Sequence, residues 1–171
     1  LRRTNFGWEH VFAMCEAAAK DASAIRASGA APMPLLRAAF ACMQSVCASY
    51  LHMLNDADLV RCINALPSFS MQTEDVAMAL QANGTLWDLT ESIERRDREQ
   101  AVELWLVLLQ RLRDVAQVPQ ANMAECALAN LFQVLLQYHL SFRAEDWIRV
   151  LSDVLLPLVE GEHAPARAFH G

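Results

Sequence analysis

The sequence contains little lysine and no cluster of positive charge. Lys20 is the single lysine, and the thirteen arginines are spread along a 171-residue chain with a formal net charge of -6. Proteins that bind nucleic acid or acidic lipid present a basic patch or stripe. We therefore expect no nucleic-acid partner and no direct membrane contact through charge, and we expect an acidic, soluble surface.

Glycine and the common catalytic motifs are also scarce. The five glycines never form G-x-G-x-x-G or a phosphate-binding loop, and there is no G-x-S-x-G segment. The histidines form no H-E-x-x-H, and the cysteines form no C-x-x-C. The sequence therefore predicts no catalytic residue, no cofactor or small-molecule substrate site and no metal site. It assigns no partner-binding residue either.

Two pairs of adjacent carboxylates and four tryptophans are the remaining candidates for chemistry. Glu74-Asp75 and Glu145-Asp146 both precede predicted helices, where negative charge complements the helix dipole. This interpretation is favoured over acid/base catalysis. The tryptophans fall on apolar helical stripes, which indicates core packing, with a partner groove as the alternative for some of them; they are Trp8, Trp87, Trp105 and Trp147.

No apolar run is long and pure enough to span a membrane. Residues 38–55 carry no charge, but five polar side chains interrupt them, so we predict a buried helix. The first residues lack an initiator methionine and a signal-peptide core, which favours a fragment of a much larger chain. The odd number of cysteines predicts free, reduced thiols in a cytosolic compartment.

Strand signals are almost absent, and helical periodicity is nearly continuous. Thr73 is the predicted N-cap of the fourth helix, and Gly161 the predicted end of the last. We expect a loop within residues 21–34, a connector at residues 67–70 and a solvated junction at residues 94–99. The pattern predicts seven helices, at about residues 7–20, 35–54, 57–66, 73–94, 100–117, 120–139 and 143–160.

Seven helices with short connectors fit either a helix bundle or a solenoid of helix pairs. Several of the helices are apolar on more than one stripe, which favours the stacked layers of a HEAT- or armadillo-like solenoid. The predicted fold is therefore an all-α right-handed superhelix of helix pairs. We expect one domain over residues 1–161 and a frayed tail over residues 162–171.

The segment Asn83-Gly84-Thr85 raises a conflict within the fourth predicted helix. It is both a turn signal and an N-glycosylation acceptor pattern, yet its flanks have helical periodicity.

Four segments resemble one protein family. Residues 6–21, "FGWEHVFAMCEAAAKD", are similar to a "GW..IF..L..AA.D" segment of the large Arf guanine-nucleotide exchange factors of the BIG type and of the Mon-two-like proteins. Residues 36–54 continue the pattern with "LRAAF" and "YLHML". Residues 69–93, with "LW" at positions 86–87, resemble a family helix in its Mon-two-like form. Residues 104–161 resemble the region that follows, although the family's D-x-R-x-E-V-R-N turn is reduced here to "DVAQVPQANMAE".

The resemblance implies an armadillo-like segment of a large cytosolic protein that is peripheral on Golgi and endosomal membranes. The segment would be a non-catalytic scaffold in vesicle transport, with other proteins or other segments of its parent chain as partners. Membrane association would be indirect, through the parent. The family carries a glycine at the position of Gly84 inside this helix, which implies that Gly84 is a helix-interior glycine. Close approach of a neighbouring helix could compensate for the stability that such a glycine costs. An unrelated helical adaptor and a helical-bundle enzyme without a visible site are the alternatives.

Overall fold

The structure is a computed structural model that describes residues 7–27 and 33–162, with side chains described for residues 7–21 and 33–160. Every regular element in these ranges is helical, which confirms the predicted all-α class. The helices are α1 (Trp8–Ala27), α2 (Met33–Ser49), α3 (Asp56–Ala65), α4 (Pro67–Ser70), α5 (Val76–Glu94), α6 (Arg98–Ala116), α7 (Ala121–Tyr138), α8 (Ala144–Val150) and α9 (Leu156–Glu162).

Three shorter helical turns also occur in the described residues. Short 3₁₀ turns follow α2 at Leu51–Met53 and α7 at His139–Ser141. A π-helical turn, Leu151–Leu155, joins α8 to α9 without a break. We refer to α8, this turn and α9 together as the C-terminal helix.

The helices alternate between two layers. Layer A contains α1, then α3 with the short α4, then α6 and the C-terminal helix, and each packs on the next. Layer B contains α2, α5 and α7 in the same order, and α1–α2 and α6–α7 are closely packed pairs across the layers. This stacking of pairs confirms the helical-repeat solenoid. The hand of the superhelix stays a prediction.

One continuous hydrophobic core runs between the layers, from α1 to the C-terminal helix. α6 lies at its centre and buries residues on two sides, because it has neighbours both in its own layer and in layer B. Trp105 of α6 is almost fully buried and stacks on Tyr138 of α7, with ring centroids 4.3 Å apart. Each such fully buried large side chain stabilises the fold by about 1.5–3 kcal/mol.

The first two helices are longer at their facing ends than predicted. α1 continues seven residues beyond the predicted end at Lys20, because the alanine-rich segment that follows favours helix. α2 begins at Met33 rather than at Leu35, since proline at position 34 is tolerated in a first helical turn. The expected loop is therefore helical at residues 21–27 and 33–34, and its remaining residues, 28–32, lie outside the described residues.

Two predictions around α4 and α5 were wrong. Residues 67–70 form α4, a single helical turn with Pro67 in its first position, and not an irregular connector. Asp75, not Thr73, caps α5: its carboxylate accepts a hydrogen bond from the Met78 N–H at 3.0 Å. Thr73 lies too far before the first helical residue to reach these N–H groups.

Gly84 lies in the interior of α5, as predicted. No described residue supplies the expected compensation, because a Cβ placed on Gly84 would meet none of their atoms within 4 Å apart from its chain neighbours and the backbone of its own helix. Asn83 is fully buried, so the glycosylation pattern offers no accessible acceptor in the folded chain.

The C-terminal helix continues through Pro157 and Gly161 to Glu162, so Gly161 does not end it. Proline cannot donate to the carbonyl four residues earlier and clashes with it in a regular helix. The wider π turn immediately before α9 accommodates this, with Leu156 donating to the carbonyl of Leu151. The rest of the predicted tail, residues 163–171, lies outside the described residues.

Candidate interaction surface

A groove lies on layer B between the C-terminal part of α2 and the second half of α5. It encloses about 600 Å³. A smaller hollow of about 270 Å³ continues from it toward the end of α5. We call this the α2–α5 groove; its principal lining residues are Cys47, His52, Trp87, Asp88, Glu91 and Arg95.

One end of the groove is fixed by Arg96, which follows α5. Its guanidinium donates to the backbone carbonyl of Leu54 at 2.7 Å and pairs with Asp56 at 3.2 Å. These contacts hold the 3₁₀ turn Leu51–Met53 against the end of α5. The predicted solvated junction at residues 94–99 is therefore only partly solvated, because Arg96 is mostly covered and makes these tertiary contacts.

The opposite end is held by polar contacts between α2 and α5. Arg37 Nε donates to Asp75 Oδ2 at 2.8 Å, and Gln44 contacts Gln81 at 3.4 Å. The Met78 N–H, and next the Arg37 guanidinium, lower the pKa of Asp75. Because contacts at both ends of the groove hold α2 and α5 together, the walls of the groove have fixed positions.

The lining of the groove combines an aromatic side chain with carboxylates. Trp87 is half-buried in the wall, and Asp88 and Glu91 follow it on the exposed side of α5. Arg95 pairs with Glu91, whereas Asp88 makes no ion pair with any residue that the structure describes. This arrangement suits a polypeptide segment that places an apolar group on Trp87 and a basic group near Asp88.

A buried amide joins α5 to α7 beside the groove. Asn83 Nδ2 lies 3.0 Å from Cys126 Sγ, and Asn130 Nδ2 donates to the backbone carbonyl of Asn83 at 3.2 Å. Asn83 Oδ1 has no hydrogen-bond partner among the described residues. The sequence signals a buried polar residue here only weakly, because the acceptor pattern suggests a surface loop.

Four cysteines meet in pairs where α1, α2 and α3 come together. Cys47 is one of the lining residues of the groove, and its Sγ lies 3.5 Å from Cys62 Sγ. That hydrogen bond, with burial, raises the pKa of Cys62. Burial, with the neighbouring Cys42 thiol, raises the pKa of Cys15 to about 12. The pairs join different helices, so no sequence spacing could predict them.

The other candidates from the sequence lie at a helix start or pack against the core. Asp146 accepts a hydrogen bond from the Arg143 N–H at 2.8 Å, which places the second carboxylate pair at a helix start as predicted. Trp105 is a core residue, and Trp8, Trp87 and Trp147 pack partly buried against the core. Within the described ranges, no group of three or more metal-ligating side chains meets, and no helix is long and apolar enough to cross a bilayer.

Comparisons with known proteins support the family resemblance. The MON2 homolog of Schizosaccharomyces pombe is 21% identical over 180 residues, which cover 91% of this chain and 11% of that protein. The MON2 homolog of Drosophila melanogaster is 22% identical over 153 residues, which cover 77% of this chain and 9% of that protein. This chain is similar to a region of MON2 homologs.

The MON2 similarity agrees with the Mon-two-like resemblance that the four sequence segments carry. The chain spans about a tenth of the length of these curated relatives. No protein-family profile matches it, and no solved structure matches it.

Proposed function

We propose that this chain is a non-catalytic scaffold segment of a much larger membrane-trafficking protein that acts at Golgi and endosomal membranes. The observation that carries the proposal is the MON2 similarity, which extends over most of the chain but over only about a tenth of each relative. The two-layer stack supports it, because solenoids present extended surfaces to other proteins. Residues 1–161 would act as one such unit, recruited to the membrane through the parent protein.

The α2–α5 groove is the surface we assign to partner contact. Its two walls are clamped at both ends by the contacts of Arg37 and Arg96, so little ordering entropy is lost on binding. Trp87 supplies apolar area and Asp88 an uncompensated negative charge. The partner would be a polypeptide segment with a basic residue beside an apolar one.

Proximity labelling in cells tests the function. The tagged chain should label proteins of the Arf pathway, flippase-associated proteins or vesicle tethers, as should the full-length parent. Labelling of the parent alone would indicate a structural spacer and contradict the assignment of a partner surface.

Substitutions of groove residues test whether partners bind at the α2–α5 groove. Trp87→Ala combined with Asp88→Arg should lose this labelling, whereas Asp21→Arg, an exposed charge change on α1, should retain it. Far-UV circular dichroism must show equal helix content for both variants. Equal labelling by both variants would contradict the groove assignment and leave the trafficking proposal intact.

A further inference from the structure

Two cysteines from different helices lie close together beside the α2–α5 groove. Cys47, in the last turn of α2, and Cys62, in α3, have their Sγ atoms 3.5 Å apart, although 15 positions separate them in the sequence. A disulfide bond holds two Sγ atoms at about 2.05 Å. Because helix ends fray readily, the end of α2 can move by the remaining gap of about 1.5 Å.

The two thiols differ in their access to solvent. Cys47 is 8% exposed and is one of the lining residues of the groove, whereas Cys62 is completely buried. The groove encloses about 600 Å³, which is ample for a small neutral oxidant such as hydrogen peroxide. The hydrogen bond with Cys47, together with burial, raises the pKa of Cys62, so Cys62 stays protonated. An oxidant in the groove therefore meets Cys47 first, and Cys62 lies behind it.

We propose that Cys47 and Cys62 form a reversible oxidation site, at which peroxide entering the groove converts the two thiols into a disulfide. The Cys47 sulfur attacks one oxygen of the peroxide. The S–O bond forms, the O–O bond breaks, and the released hydroxide takes the thiol proton and leaves as water. The Cys62 sulfur then attacks the sulfur of this sulfenic acid. The S–S bond forms, the S–O bond breaks, and the Cys62 proton leaves with the hydroxyl as a second water.

The electrons balance, because two thiols are oxidised to one disulfide while one peroxide molecule is reduced to two waters. A low-molecular-weight thiol reverses the reaction by thiol–disulfide exchange and is itself oxidised to a disulfide. The site therefore responds to the balance between peroxide and thiol around the chain. It goes beyond the proposed trafficking function and does not depend on it.

The disulfide ties α2 to α3 across the segment that closes one end of the groove. In the reduced chain, this segment is held at the end of α5 by Arg96, which donates to the Leu54 carbonyl. Leu51 and His52 lie within the loop that the disulfide closes, and both line the groove. Oxidation thus adds a covalent bond beside the wall that Arg96 holds by hydrogen bonding.

Disulfide mapping by mass spectrometry tests the site. The folded chain is treated with hydrogen peroxide, the remaining thiols are alkylated in denaturant, and the digest is analysed without reduction. We expect a pair of peptides joined through Cys47 and Cys62, and we expect dithiothreitol to separate them. Absence of this pair at a peroxide concentration that fully oxidises the exposed Cys42 would overturn the proposal.

Variants of the two cysteines test the order of the steps. In Cys62→Ala no thiol resolves the Cys47 sulfenic acid, so a cyclic 1,3-dione reagent should label Cys47. In Cys47→Ser, which keeps the size of the side chain, the same reagent should leave the buried Cys62 unlabelled. Labelling of Cys62 in Cys47→Ser would contradict entry of the oxidant through the groove. Circular dichroism must show both variants folded.

Cys126→Ser is the matched control. Cys126 is half-buried and its sulfur contacts the Asn83 amide instead of a thiol, so this variant should form the disulfide as the wild type does. Cys42→Ser should also form it, because the oxidant enters through the groove. Loss of the disulfide in Cys42→Ser would show that oxidation reaches the pair from the exposed Cys42, and the proposed site would be wrong.

Discussion

Arg113 of α6 donates a hydrogen bond from Nη1 to the backbone carbonyl of Asp153 in the C-terminal helix. Asp153 lies four residues before Pro157, which has no N–H to give to that carbonyl. The arginine therefore replaces a hydrogen bond that proline removes. Gln117 makes a parallel contact one turn further on, donating from Nε2 to the Pro157 carbonyl at 3.0 Å.

Arg113→Met tests this relationship. Methionine keeps the apolar stem of the side chain but removes the donor, so we expect the free energy of unfolding to fall by about 1–3 kcal/mol. Urea titration followed by circular dichroism measures the change. Arg95→Met removes an exposed arginine that pairs with Glu91 one turn earlier in the chain, and it should change stability by less than about 0.5 kcal/mol.

Pro157→Ala provides the second arm of that test. Alanine restores an N–H that can donate to the Asp153 carbonyl. In the Pro157→Ala background, Arg113→Met should therefore cost less than it does in the wild type. Equal costs in the two backgrounds would show that Arg113 acts through its pairing with Asp114 and not through the helix carbonyl.

Gly84→Ala should stabilise the chain by about 0.5–1 kcal/mol. The position has helical backbone and open space where the Cβ would lie, so alanine gains helix propensity without a clash. Thermal unfolding measures the shift. Gly7→Ala is the contrasting variant and should destabilise, because Gly7 has a φ of 46° that alanine adopts only with strain. A destabilised Gly84→Ala chain would mean that a neighbour does approach the position.

The Glu103–Arg149 pair should make stability depend on acid pH. Arg149 donates to both carboxylate oxygens of Glu103, at 2.5 and 2.9 Å, and lowers the pKa of Glu103. The pKa of Glu103 is therefore lower in the folded chain than in the unfolded chain. The pair contributes its full stabilisation at pH values above the unfolded-state pKa. This stabilisation is lost as the pH falls through the folded-state pKa.

Comparison with Glu103→Gln isolates this contribution. Both side chains of the pair are well exposed, so at neutral pH the wild type should be more stable by only about 0.2–1 kcal/mol. The difference should disappear below the lowered pKa and shrink at high salt. Denaturant titrations at several pH values measure it, and a difference that persists in acid would exclude the ion pair as its cause.

The cysteines should differ widely in reactivity with a thiol alkylating reagent. Cys42 is exposed and should be alkylated first in the folded chain. Cys15 and Cys62 are buried thiols with raised pKa values, so the reactive thiolate is rare and access is poor. Peptide mapping after timed alkylation should show Cys15 and Cys62 modified only when denaturant is added. Rapid labelling of Cys62 without denaturant would contradict the packing of α3 on α1.

The sequence by itself determined the helical class and most helix positions, because apolar residues recur at the period of a helix and strand alternation is absent. Four local segments also carry the resemblance to the Mon-two-like family, and that resemblance implied the position of Gly84 inside a helix. These features are local, so the order of residues is enough to reveal them. The cap of α5 was predicted at Thr73 and is Asp75 in the structure, since several residues before α5 have side chains that can cap a helix.

The tertiary structure alone decided the contacts between distant residues. Arg96 at Leu54, Cys47 beside Cys62 and Arg113 at Asp153 each join helices that are far apart in sequence. The α2–α5 groove follows from such contacts. Helical periodicity shows which side of a helix is apolar. Which side chains meet across an interface depends on how the helices stack, and stacking depends on the whole chain.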